Sequence, residues 1–218
     1  MSEILSKYKF KRFAIESFRN GLRLHFDSIL LFNNESYPSA FQLSVLSMEE
    51  ISKSNWIEHV YWYSFCTDTI RDHQDEKEWL QLLYLHPKKQ NAFFNWGLLY
   101  DYSPKFVEYV KKNQLELQKQ RATYVGFDKN KGRIDVDGRI SIPSRIKNKD
   151  AKKMISLIND YLKEVCEGKF QEECYFDIEE KDDLLNKELM EQLRKWKFKS
   201  GVKSGKWFNK WQQIMRAS

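Results

Sequence analysis

Glycine and proline are scarce, at eight and four in 218 residues. A chain of many short strands needs them at its turns, so their shortage excludes a many-turned β fold and favours long helices. Cysteine is scarcer still. Cys66, Cys166 and Cys174 are scattered and form no CxxC pair. That excludes a disulfide framework and points to reduced thiols in a cytoplasmic protein. No run approaches the roughly 20 apolar residues that a bilayer-crossing helix needs. The opening MSEILSKYKFKRF lacks the apolar stretch of a secretory signal. A soluble, intracellular chain with no membrane contact is the expectation. Phosphate loops are missing too: Gly126 and Gly132 fit neither GxxxxGK[ST] nor GxGxxG spacing. The four histidines and three cysteines give no tetrahedral zinc set. Asp68, Asp72 and Asp75 read as solvated loop acids. Neither a metal nor any other cofactor is expected.

What is present is aromatic and charged. Aromatic residues make up 15% of the chain and charged residues 31%. The aromatics, with abundant Leu and Ile, supply the apolar surface that a disordered chain lacks. The net charge of +6 is unevenly spread. Residues 192–218 hold eight Lys or Arg and no Asp or Glu, which leaves 29 basic against 31 acidic residues elsewhere. The basic character therefore belongs to the tail, where nucleic acid, a membrane surface or an acidic protein patch would each answer it. The division that follows is a helical domain over 1–168, then an acidic segment, a helix and a basic aromatic tail over 169–218.

Apolar spacing predicts a first helix over residues 3–33, stopped at Asn33-Asn34. A second opens at Tyr37-Pro38 and runs to about Phe65. It is apolar on more than one side, as a central helix is. A third spans Glu76 to about His86, where Pro87 interrupts the pattern or opens the next turn. Further helices are expected over Pro104 to about Tyr124, from a cap at Ser144 to about Cys166, and around 182–198. Between them, residues 124–143 alternate Ile134/Val136 and Ile140/Ile142 between glycines, the pattern of a short extended hairpin. The fold class is all-α, a helical bundle with that excursion.

Two strings carry chemistry. In the central helix, Ser39–Lys53 contains adjacent Glu49 and Glu50 with Lys53 three and four residues on, spacings that let the ammonium meet a carboxylate. After the third helix, His86 stands beside Lys88 and Lys89. An imidazole moves a proton near neutral pH, and ammonium groups offset phosphate charge. The expected site joins Glu50, Lys53, His86 and Lys89. His86 is its acid or base, Lys53 and Lys89 its phosphate holders, and Glu50 the residue that orients Lys53 or the imidazole.

The two strings in this order resemble the AbiV family of bacterial abortive-infection proteins. The matching residues are Ala40, Leu43, Glu49, Glu50 and Lys53, then His86, Lys88 and Lys89. Lys119, Arg121, Tyr124, Val125, Asp128 and Pro143 follow, and Arg19, Asn20 and Asp27 fit the opening. The resemblance covers about residues 10–165. It implies a HEPN-like helical bundle, phage defence by growth arrest, a homodimer, and in many relatives a metal-independent ribonuclease. The HEPN signature of Arg, a polar residue and a later His is met on paper by Arg19, Asn20 and His25, a second candidate set. On a continuous helix, however, Arg19 and His25 project about 120° apart.

For RNA, the contacts expected are Lys88, Lys119, Arg121 and Tyr124, with Lys206, Trp207, Lys210 and Trp211 in the tail. Aromatic faces stack on unpaired bases while cations follow phosphates. The tail aromatics could equally dock on the body and leave their lysines in water. Two functions follow: a ribonuclease acting on ribosomal or transfer RNA, or a non-enzymatic effector that binds a phage-encoded activator and blocks the translation machinery.

Overall fold

The computed structural model describes residues 5–66, 73–95, 102–127, 129–130, 133–134, 136–172 and 175–202. Helix α1 (Lys7–Asn33) is capped by Ser6, whose hydroxyl accepts the Lys9 N–H. Helix α2 (Tyr37–Cys66) returns after a three-residue turn, so the pair forms an antiparallel hairpin. Helices α3 (His73–Leu82) and α4 (His86–Asn95) are separated by a tight turn that places Pro87 in the first turn of α4, where a missing N–H costs little. The single helix expected over 104–124 is two, α5 (Pro104–Lys111) and α6 (Gln114–Thr123). The break is at Asn113, whose φ of 56° is left-handed, a conformation asparagine tolerates better than most residues.

Strands β1 (Lys129–Asn130) and β2 (Arg133–Ile134) pair antiparallel, and Gly126 bridges Ser141. A 3-10 turn over Pro143–Arg145 precedes α7 (Asn148–Glu172). Ser144 lies within that turn rather than capping the helix. In the first turn of the helix the Asp150 carboxylate reaches back and accepts the Lys147 N–H. The helix expected around 182–198 is divided into α8 (Glu179–Asp182) and α9 (Lys187–Arg194). Among the described residues no helix is long and apolar enough to cross a membrane.

The α1–α2 hairpin is drawn together by small residues. Ser47 and Ser54 of α2 donate their hydroxyls to the carbonyls of Gly21 and Ala14. A Cβ on Gly21 would stand 2.7 Å from Ile51 Cγ1 and 3.2 Å from the Ile51 nitrogen. Gly21→Ala must therefore push the helices apart at their crossing. The expected cost is about 1–3 kcal/mol, read as a lower urea midpoint with an unchanged slope.

The core lies between α2 and α7, where Met48, Ile51, Met154, Ile155, Leu157 and Ile158 are all buried. Residues from beyond the expected boundary at 168/169 belong to the same core. That boundary falls inside α7, and Phe176, Leu185, Leu193, Trp196 and Val202 pack with the rest. A buried ion pair fastens this segment. The Lys181 ammonium lies 2.5 Å from Glu58 of α2, donates to Asn55 and sits 3.5 Å from the centre of the Phe176 ring. Burial pulls the Lys181 pKa down and pushes that of Glu58 up, each opposed by the partner's charge.

Candidate active site

Glu49 and Glu50 are neighbours on α2 and so point about 100° apart. Packing assigns them different partners. Glu50 faces α1, accepts from Asn20 at 3.2 Å and holds the Lys53 ammonium with both oxygens at 2.7 Å. Lys53 also lies 5.5 Å from the centre of the Phe13 ring. Glu49 faces α4 and α6 and is 1% exposed.

Four side chains converge on the Glu49 carboxylate. His86 Nδ1 stands 2.5 Å from one oxygen, with the Lys89 ammonium 3.7 Å from the same atom. The other oxygen accepts from Gln90 at 2.8 Å and from Lys119 at 2.9 Å. Glu116 closes the network, taking Gln90 at 2.7 Å and Lys119 at 2.8 Å. Local spacing builds it. His86 and Gln90 are one turn apart on α4, and Glu116 and Lys119 share a face of α6. Ser52 ties the two walls together by donating to the Lys89 carbonyl.

Burial alone would raise the Glu49 pKa. Hydrogen bonds from His86 and the charge of Lys119 outweigh it, and the carboxyl is held below its ordinary value. Burial lowers the Lys89 pKa, with Glu49 and Glu50 opposing the shift. An ionised Glu49 has no proton to give, so the bond to His86 requires the hydrogen on Nδ1. The neutral imidazole then carries a bare Nε2, which has no partner among the described residues. The His86 side chain is 47% exposed while its carboxylate partner is sealed off. A buried acid that fixes the tautomer of a half-exposed imidazole is an arrangement suited to proton transfer.

Glu49, His86 and Glu116 also bring three possible ligand atoms within 4.8 Å of one another. Lys119 already binds both of those carboxylates, and Lys89 adds a second buried cation. A divalent ion would have to displace the one and lie against the other. The donor set is charge-balanced without it, and no step is assigned to a metal.

Of the expected site, His86 and Lys89 meet, and Lys89 lies within electrostatic reach of Glu50 and Lys53. Yet His86 is held by Glu49, not Glu50. Lys53 and Lys89, expected to hold phosphate, are committed to Glu50 and Glu49. Lys119, expected at an RNA surface, is buried in the same network. Lys88 and Tyr124 are exposed, and Arg121 lines a small hollow with Tyr124. Lys206, Trp207, Lys210 and Trp211 lie outside the described residues.

The second candidate set separates. Arg19 is on the surface, paired with Glu16 at 2.9 Å. Asn20 is held between Arg23 and Glu50. His25 is fully buried, with Nε2 3.2 Å from Asn159 of α7. Sequence reasoning missed Gln90 and Glu116, and missed Glu49 as the centre. The signals were the one-turn spacings His86/Gln90 and Glu116/Lys119.

A family model described as AbiV, of the HEPN type, matches residues 9–163. No curated protein and no solved structure matches the chain.

Proposed function

The chain belongs to the AbiV family of HEPN-type abortive-infection proteins, and from that premise we propose that it is a phage-defence effector that arrests growth of the infected cell by cutting RNA, with His86 as its proton carrier. The observation that carries this is the half-exposed imidazole fixed at Nδ1 by a buried carboxylate 2.5 Å away. In that chemistry His86 Nε2 takes the proton of a ribose 2′-hydroxyl. The 2′-oxygen attacks phosphorus, and the bond to the 5′-oxygen breaks. The leaving oxygen takes a proton from water or from the imidazole of a second copy in a homodimer. Glu49 stabilises the imidazolium that forms. No metal is assigned a part.

Incubating the protein with ribosomal and transfer RNA in a metal chelator tests this. Discrete fragments are expected, and His86→Ala should slow their appearance by about 100-fold or more. Because His86 is at the edge of the network, the variant should keep its melting temperature within a few degrees. Undiminished cleavage, or growth arrest retained at a normal protein level, would remove His86 from the mechanism.

A second reading is favoured by a different observation. Val125, Ile134 and Val136, on the excursion between α6 and α7, are 68%, 62% and 68% exposed. An excursion that offers three exposed apolar side chains suits a non-enzymatic effector that meets a phage-encoded activator and blocks translation. Intact RNA with halted translation in the same assay would favour it.

A further inference from the structure

A cavity of about 340 Å³ opens between α2, α5, α6 and α7, away from the His86 network. Its volume is within the range of small-molecule sites. Phe41, Phe106, Leu115 and Met154 form apolar walls, and all four are buried. Tyr109 and Phe106 lie nearly parallel, 12° apart with ring centres at 6.1 Å, so one side is a flat aromatic surface. The Tyr109 hydroxyl donates to Gln118 at 2.6 Å, and burial pushes its pKa up to about 12, so the phenol brings no negative charge.

The charged groups at the cavity are Lys105, Lys153 and Asp150. The Asp150 carboxylate accepts the Lys147 N–H at 2.9 Å and keeps its charge, which acts on Lys153. Among the described residues neither lysine is in an ion pair. The Lys153 ammonium instead rests 4.4 Å from the centre of the Phe106 ring, over the wall of the cavity itself. Two cations and one carboxylate, a net charge of +1, thus border a hollow floored by aromatic and aliphatic carbon. A cation would be repelled there, and a neutral apolar molecule would leave both ammonium groups unused.

We propose that this cavity is a binding site for a small organic anion with a flat apolar body, its charged group between Lys105 and Lys153 and its body against Phe106 and Tyr109. The site is independent of the RNA-cutting assignment and stands or falls without it.

8-Anilinonaphthalene-1-sulfonate is a flat apolar anion whose fluorescence reports binding. Titrated into the full chain, it should saturate at one molecule per chain. N-Phenyl-1-naphthylamine has the same rings without the sulfonate and should bind about tenfold more weakly. Lys105→Gln with Lys153→Gln changes two exposed side chains and spares the fold. It should weaken the sulfonate by about tenfold and leave the neutral probe unchanged. A control variant, Ile134→Ser with Val136→Ser, alters the other apolar surface and should leave both affinities as they were. Sulfonate affinity unmoved by the lysine pair, or lost in the control variant instead, would overturn the proposal.

Discussion

Glu49→Ala is expected to lower stability by about 3–5 kcal/mol, a fall in melting temperature on the order of 10 °C. The loss is large because of what remains, not only what goes. The Lys89 side chain, 7% exposed, would stay buried without the anion that offsets its charge, and that of Lys119, 8% exposed, would keep Glu116 alone. Gln90 would lose one of its two acceptors. Removing a cation together with the anion should restore much of the loss. Glu49→Leu with Lys89→Met should therefore be more stable than Glu49→Ala, since Lys119 keeps Glu116 and no buried cation is left unmatched. Thermal and urea unfolding of the three proteins measures this. A single variant that melts within 2 °C of the parent, by the same scale, would mean that the carboxylate does not hold the network. The pH dependence has a definite sign. Glu49 is held below its ordinary carboxyl value, so its contribution is present above that value. It is lost as the pH falls through the lower folded one.

Between pH 6.5 and about 4 a different residue governs. His25 is enclosed between α1 and α7, and burial pulls its pKa down to about 4, against an ordinary 6.5. The unfolded chain takes up a proton in this interval and the folded one does not. Stability therefore falls with pH by up to about 1.4 kcal/mol per unit, or roughly 3 kcal/mol across the window. The geometry explains the reluctance. Asn159 spends its amide N–H on the Leu193 carbonyl, so its oxygen faces His25 and accepts from Nε2. That leaves Nδ1 buried with no acceptor for a second proton. His25→Gln should flatten the stability profile over this interval, even if it lowers stability at pH 7. Urea unfolding at half-unit steps from pH 7 to 4.5 tests it. Equal slopes for the two proteins would place the acid sensitivity elsewhere, with His59, also lowered by burial, the next residue to examine.

The long elements were legible because period and punctuation agree in them. Helices α1 and α2 follow from their apolar spacing, and the stop at Asn34 follows from a side chain that bonds the Leu30 carbonyl. The break at Asn113 was not legible. No glycine or proline marks it, and its one local signal is an asparagine that tolerates the left-handed conformation. The site was half legible. An acidic doublet on a central helix and a histidine beside lysines on the next are visible in the string. Which member of the doublet meets the imidazole depends on a rotation of about 100° that only tertiary packing decides. Lysine is the residue least expected in a core, so Lys119 reads as surface charge until Glu116 and Glu49 are seen around it. Lys181 hides in the same way, in a run of acids that looks solvated. The projection of Arg19 and His25 to different sides of α1 was computable from the sequence, and it is what the fold displays.

The Lys181–Glu58 pair has a practical consequence for anyone dissecting the chain. The stretch that identifies the family closes at residue 163, partway along α7 and well before Lys181. A truncation there would strand the Glu58 carboxylate inside an apolar shell, uncap the Phe18 ring that Phe176 covers edge-on, and shear α7 mid-length. The limits of kinship and the limits of what can fold alone do not coincide in this molecule. The plug that completes it is supplied by residues that the kinship does not reach.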